Sequence, residues 1–522
     1  MGQPPARVLL RGGCVYSPEH PSATAMLTVG ETVAWIGDEG GAAAHLDEAE
    51  LVVELDGGLV TPGFVDAHVH LAKTGLALQT LDLSNTVSVA DALDHLAEYA
   101  TRHVGAVLVA HGWDESRWPD PRPFTGAELD RAVGDRVAYV SRVDSHSAVV
   151  SSALLDLEPA IRDLGGWRGD GGVERDAHLA AGGGVDSLGS DPERRQALLL
   201  ALREAARVGI TSVHEVNAPH ISPYDDARLI SALRRERPLP EVVAYWGALL
   251  GGEHADAVGL AGFAGDLCID GAIGSRTAAL HAPYQDADGA GHLYLDDVQV
   301  RDHVVWCAER GLQAGFHVIG DRGVDTAVSG LVQAAAKVGT EQMFVARHRL
   351  EHVEMPTPSA IALLAALHVV ASVQPMFDAA WGAPGELYEK RLGTARSTPM
   401  NPFASMRRAG VTLAFGSDSP VTAMGPWAAV RAAVHHHHPA ERLTVEAAFE
   451  AHTRGGHRAR RADDAGTLVS GAAATYAIWE HADRTARDGA DRLPALAPSE
   501  PLPSCVRTVV AGTTVFDAER QP

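Results

Sequence analysis

The sequence predicts an α/β fold, a (β/α)8 TIM-type barrel that carries a small β-sandwich built from both ends of the chain. Three observations carry that prediction. Both termini read as short strands broken by glycine turns. The long middle alternates apolar strands with Ala/Leu/Arg-rich helical stretches, and eight of its strand candidates end on polar or aromatic residues. The length agrees, since 522 residues exceed one ordinary core and suit a large barrel with an accessory unit.

Taken in order, N-terminal strands are expected at residues 8–13, 26–30 and 33–37, and C-terminal ones at 466–469, 476–479 and 506–510, with a turn at Gly512. Residues 1–58 and 466–522 are therefore assigned to the small β-domain, and 59–465 to the barrel. Residues 483–503, rich in Ala, Pro and charge, read as a solvated loop. The barrel strands are expected to end near His70, His214, Trp246, Asp270, His317, His352, Gln374 and Asp418, which is enough to close a barrel. Two further runs, 106–111 and 137–143, fall between the first two of these strands. Residues 71 to about 203 are thus read as an insertion over the barrel mouth, and their glycine-rich part, 165–189, as a loop or flap.

Composition bounds the function. Hydrophobic residues make up 46% and charged residues 21%, a globular balance. A formal charge of −24 excludes nucleic-acid binding, which needs a basic face to displace counterions from phosphates. The four cysteines are scattered without CxxC spacing, as in a reducing compartment. No secretory signal and no membrane-length apolar window is evident, so a cytoplasmic protein acting on a small molecule is expected, with a homodimer as the default assembly.

In a barrel of this kind, catalytic groups lie at the C-terminal ends of the strands. The first strand runs into Asp66-Ala67-His68-Val69-His70, and alternation places His68 and His70 on one face. Two later strands end in His317 and His352, and the last is followed by Asp418. Imidazoles with one carboxylate around a barrel mouth make an N/O donor set suited to Zn²⁺, Mn²⁺ or Fe²⁺, of which zinc is the expected ion. The run from His435 to His438 is read as a solvated turn.

That order of residues, opened by Pro62-Gly63-Phe64-Val65-Asp66-Ala67-His68-Val69-His70, resembles the amidohydrolase superfamily. More narrowly it is similar to amidohydrolase family 3, the group similar to N-substituted formamide deformylase. The resemblance spans essentially the whole chain. It includes Gly112-Trp113-Asp114-Glu115, the run 270–280, Phe316-His317-Val318-Ile319-Gly320-Asp321-Arg322, Arg349-Leu350-Glu351-His352, Ser372-Val373-Gln374-Pro375 and Gly416-Ser417-Asp418-Ser419-Pro420-Val421. The resemblance implies that His68, His70, His317, His352 and Asp418 form a metal site and that Asp418 shuttles the proton.

One departure concerns the lysine that bridges two metals, as a carbamate, in many relatives. Here that position is Asp266, and Lys73, Lys337 and Lys390 are the chain's three lysines: one after the first strand, one on a predicted helix, one in a polar loop. Either Asp266 bridges two ions or a single ion is held, with His352 turned to the substrate or the attacking water; the reading leans to the single ion. The reaction implied is hydrolysis of a non-peptide carbon–nitrogen bond (amide, formamide or cyclic amide) by metal-activated water, with Asp418 taking and returning a proton and His352 assisting at the carbonyl. Deamination of a cyclic amidine, or a non-catalytic amidohydrolase-like scaffold, are the alternatives. Arg276 and His146 are expected to anchor substrate, and Trp113 and Asp114 to shape its pocket, although a loop ion pair for Arg276 and plain packing for Trp113 are equally compatible with the sequence.

Overall fold

The computed structural model describes residues 6–187, 190–256, 259–480 and 492–520. Its centre is a barrel of eight parallel strands: β1 (Phe64–Val69), β2 (Ile210–Asn217), β3 (Glu241–Trp246), β4 (Gly262–Phe263), β5 (Gln313–Val318), β6 (Arg349–His352), β7 (Val370–Val373) and β8 (Thr412–Phe415). Each pairs with its neighbour in sequence. The ring closes where the amide of Asp418 donates to the His68 carbonyl at 2.8 Å and the amide of His70 to the Ser419 carbonyl at 3.1 Å. Helices Asp226–Glu236, Asp297–Glu309, Asp321–Val338, Pro358–Ala366 and Phe403–Ala409 supply crossovers, packing apolar faces on the outside of the strands.

Two strands differ from expectation. The long first strand is divided at Gly63, where a Cβ would lie 2.1 Å from Thr211; Leu59–Pro62 pairs instead with Cys14–Val15 and Tyr476–Glu480. The fourth strand ends at Phe263, not near Asp270. Gly265, at φ +90°, turns the chain away, and it rejoins β5 through Cys268 opposite His317.

Both chain ends build a sandwich. One sheet holds Thr32–Gly37, Ala25–Val29, Arg7–Arg11 and Leu51–Glu54; the other holds Cys14–Val15, Leu59–Pro62, Tyr476–Glu480, Ser504–Val510 and Thr513–Asp517. Leu10, Met26, Val60, Tyr476 and Ile478 fill the space between them. The expected strand at 466–469 is irregular, although Leu468 is buried there and its carbonyl accepts from Ser17. Of the stretch read as a solvated loop, 483–491 lies outside the described residues, and beyond it Leu493 and Leu496 are buried against the barrel.

The inserted segment forms its own sheet, ordered Gly172–Glu174, Ser147–Val150, Val137–Arg142, Val107–Trp113, Leu81–Asp82. The glycine-rich part is a loop only over 165–171, and a short strand, Gly172–Glu174, follows it. Gly182, Gly183 and Gly184 lie within a helix, Arg175–Ser187, and residues 188–189 fall outside the described ones. Glycine is a poor helix former, but Ala177, Ala181 and Val185, spaced by four, are buried against the inserted sheet, and that burial overrides local propensity.

Candidate active site at the barrel mouth

The site is assembled from strand ends. Alternation along β1 turns Asp66 and His68 inward, and His70 follows as the residue before helix Leu71–Ala77. On β6, strict alternation would let only one of Glu351 and His352 face inward. His352 adopts φ +70°, an uncommon value for a residue with a Cβ, and both side chains reach the mouth. Asp418, three residues past β8, likewise sits at φ +54°.

These side chains converge. His68 Nε2 lies 3.4 Å from Asp418 and 3.5 Å from Asp266 Oδ1, and His70 Nε2 lies 3.1 Å from Asp418 and 3.3 Å from Asp266 Oδ2. His317 Nδ1 is 3.8 Å from Asp266 Oδ1, and the His317 and His352 rings are 4.5 Å apart. Three overlapping sets, His68/His70/Asp266, His68/His352/Asp418 and Asp266/His317/His352, each bring donor atoms within 4.8 Å of one another.

The outward nitrogens of His68, His352 and His317 are committed to partners, which fixes what the inward ones offer, whereas His70 Nδ1 has none among the described residues. His68 Nδ1 bonds Glu351 at 2.8 Å, His352 Nδ1 donates to the Gln374 Oε1 at 2.8 Å, and His317 Nε2 faces the Gly271 carbonyl at 3.4 Å. Glu351 is in turn gripped by Arg349, fully buried in the barrel lumen, which also donates to the Ala67 carbonyl and Ser372. The remaining atoms His68 Nε2, His317 Nδ1 and Asp266 Oδ1 are buried with no hydrogen-bond partner among the described residues. Unpartnered buried polar atoms are costly, and here they are imidazole nitrogens and a carboxylate oxygen turned on a common centre, so the residues present fit a divalent cation.

The electrostatics agree. Burial works against a charge on His68, yet Asp418 and Glu351 beside it hold its pKa well above the ordinary value; His70 is raised likewise by Asp266 and Asp418. His317 is driven well below the ordinary value by burial and by His352. Burial opposes ionisation of Asp418, but His68 and His70 hold its carboxyl well below the usual range. The mouth therefore attracts positive charge on one side and keeps a neutral imidazole on the other.

Two cavities meet at this centre. The larger, about 500 Å³, opens on the His70 and Asp266 side, with mostly apolar walls such as Leu76, Val109, Leu179, Ile221, Leu249 and Leu295. Lys73, His178 and His220 are among its polar residues. Burial pushes both of these histidines down to about 4, so they are uncharged at neutral pH. The smaller, about 20 Å³, lies on the His352 side between Phe377, Trp381, Leu387 and Ile273. Asp144, His146, His317, Asp418 and Val421 border both.

The structure thus brings together His68, His70, His317, His352, Asp418 and Asp266, and sets His146 beside them, its ring 5.0 Å from that of His317. Three expected substrate-pocket residues lie elsewhere. Arg276 pairs with Asp286 at 2.7 Å and lines neither cavity. Trp113 is buried in the inserted sheet with Trp118 and Phe124. Asp114 holds Arg142, which also binds Glu115 and Asp144, so it reaches the mouth only through that chain of ion pairs. Lys390 is in a short helix, Leu387–Leu392, and bonds the Ser116 carbonyl of the insertion. The orienting residues Glu351 and Gln374 lie in the motif runs 349–352 and 372–375, but no sequence pattern marks them as partners of His68 and His352. Tyr294 of the cavity wall left no such trace.

A sequence model of the amidohydrolase family matches residues 51–516. The chain is 26% identical over 519 residues to the protein LONG AFTER FAR-RED 3 of Arabidopsis thaliana, covering 91% of this chain and 87% of that one. It is 25% identical over 507 residues to an N-substituted formamide deformylase of Arthrobacter pascens, covering 88% and 90%. Among solved structures, an uncharacterized metal-dependent hydrolase of Pyrococcus horikoshii matches with a TM-score of 0.72 at 23% identity, over 92% of this chain and 98% of that one, a likeness of fold.

Proposed function

Because the chain belongs to the amidohydrolase family, we propose that it hydrolyses a carbon–nitrogen bond other than a peptide bond, with His68, His70, His317, His352, Asp418 and Asp266 holding divalent metal. The observation that carries this reading is the set of inward, unpartnered atoms on His68, His317 and Asp266. An ion bound there would acidify a water molecule and polarise a carbonyl oxygen. The donor set suits Zn²⁺, Mn²⁺ or Fe²⁺. Asp266 stands between the His68/His70 pair and the His317/His352 pair, which favours two ions over one and gives its carboxylate the place that a carbamate takes in other relatives.

The chain's own groups do the rest. Asp418, depressed by His68 and His70, is ionised and placed to take the proton of the attacking water and deliver it to the leaving nitrogen. Glu351 and Gln374 keep His68 and His352 from rotating, so their inward nitrogens stay turned on the centre. His146, at the border of both cavities, is placed to hold the substrate over the centre.

The test is elemental analysis of protein purified without a histidine tag, paired with amide hydrolysis before and after chelation. The expected result is about two ions per chain and activity that a chelator removes and added metal restores. Protein that binds no zinc or manganese would overturn the reading.

A further inference from the structure

The small cavity carries a second polar feature. Glu354, 2% exposed, lines it two residues beyond His352, next to Tyr388 and Asn401. Its Oε2 is buried and has no hydrogen-bond partner among the described residues. A buried acceptor without a donor is costly, and a cavity of about 20 Å³ has room for one or two heavy atoms. Asp144, His146, Tyr388 and Asp418 line it too, but Asp144 is already held by Arg142 and Ser275 and Asp418 faces His68 and His70, so among these oxygens Glu354 Oε2 is the one left without a partner. Phe377, Trp381, Leu387 and Ile273 supply no acceptor, and the Phe377 ring is stacked parallel to that of His352 at 5.9 Å. The cavity on the opposite side is some twenty-five times larger in volume and mostly apolar, the size and character of a site for a drug-sized group.

We propose, resting on the hydrolase reading above, that the substrate ends in a carbamoyl group, C(=O)–NH2, whose amino group donates to Glu354 in the small cavity while a large apolar remainder fills the other. A carbonyl carbon at the metal centre has two substituents, and the two cavities give them opposite requirements. One is a single heavy atom bearing a hydrogen-bond proton, which in a C–N hydrolase is an amino group. The other is bulky and apolar. Glu354 keeps an accepting lone pair whether or not its carboxyl is ionised. A primary carboxamide and a monosubstituted urea share this chemistry. In the carboxamide, water oxygen bonds to the carbonyl carbon, the C–N bond breaks, and ammonia leaves with a proton passed by Asp418, giving the acid. In the urea the same exchange releases ammonia and a carbamic acid, which loses CO2 to give the amine.

The experiment compares four substrates with one phenylalkyl group R: R–CO–NH2, R–NH–CO–NH2, R–NH–CHO and R–CO–NHCH3. We expect the first two, or one of them, to exceed the formamide and the N-methyl amide by about tenfold or more in kcat/KM, the worth of one satisfied buried hydrogen bond. Whichever leads tells carboxamide from urea. Glu354→Leu should lower kcat/KM for the NH2-bearing substrates by about tenfold and leave the formamide within about threefold. Should that variant fail to fold, Trp381→Ala reports independently by widening the small cavity and raising turnover of the N-methyl amide. A formamide that outpaces both NH2-bearing compounds, or a Glu354→Leu loss equal on all four, overturns the subsite. If a metal-loaded protein ignores all four but cleaves a cyclic amide, the subsite falls and the hydrolase reading stands. If it cleaves no C–N bond at all, both fall.

Discussion

Two histidine–aspartate clusters among the described residues have the spacing of a metal site, and they differ in what their atoms are already bonded to. In one, Asp378 sits with His436 and His437, donor atoms within 4.8 Å. There each imidazole nitrogen has a partner: His436 uses the Asn401 carbonyl and the His438 amide, His437 uses Asp378 and the Thr398 carbonyl. The histidine run that the sequence suggests is a solvated turn is thus partly an internal brace, with His436 fully buried. It fastens the segment that carries Phe377 and Trp381 to the barrel. At the barrel mouth the same residue types keep nitrogens and oxygens in reserve. Residue type and spacing define a donor set; spare lone pairs make it a site.

The sharpest test of that contrast removes a carboxylate from each cluster. Asp418→Asn is expected to cut turnover by on the order of 10³-fold while the protein stays folded, measured by kcat beside thermal unfolding. Near-normal turnover would remove the proton shuttle. Glu351→Gln loosens His68 without touching a donor atom, and should weaken metal binding by about 10–100-fold in chelator competition. Undiminished affinity would mean that the grip of Arg349 and Glu351 on His68 is dispensable. Asp378→Ala should behave oppositely, leaving metal content unchanged and lowering stability by about 3 kcal/mol in denaturant titration, because it strands a buried partner. Loss of metal there would erase the distinction between the clusters. The smallest effect is expected at Arg276→Ala. Its partner Asp286 also pairs with Arg391, and the pair is part-exposed, so stability should change by less than about 1 kcal/mol with KM unmoved. A tenfold rise in KM would return Arg276 to the substrate pocket.

Much of this was legible in the chain, and the failures have physical causes. His68, His70, His317 and His352 could be placed because strand periodicity and barrel topology locate strand ends without tertiary detail. Asp266 was harder, since Gly265 turns the chain before it and only its register beside the missing lysine marked it. Glu351 meets His68 across 283 residues, a contact that no local pattern encodes. The helix through Gly182–Gly184 depends on a sheet surface for Ala177 and Ala181 that exists only after folding. Arg276 and Asp114 stand in matching runs, but their ion pairs are local, Arg276 with Asp286 inside one loop and Asp114 with Arg142 inside the insertion.

The division of the first strand at Gly63 reaches into the order of assembly. Trp479 donates to Thr61 from 418 residues further along the chain, and the next strand, β1, is sealed at its other edge by Asp418 and Ser419. At ribosomal rates of about 5–20 residues per second, Thr61 waits roughly 20–80 s for that partner. Residues 59–70, which include His68 and His70, pair along one edge with segments made earlier or midway, Cys14–Val15 and β2, and along the other only with segments made late, Tyr476–Glu480 and Ser419. The stretch that carries His68 and His70 is therefore half-paired until late in synthesis, and its second edge closes only after Tyr476–Glu480 has left the ribosome.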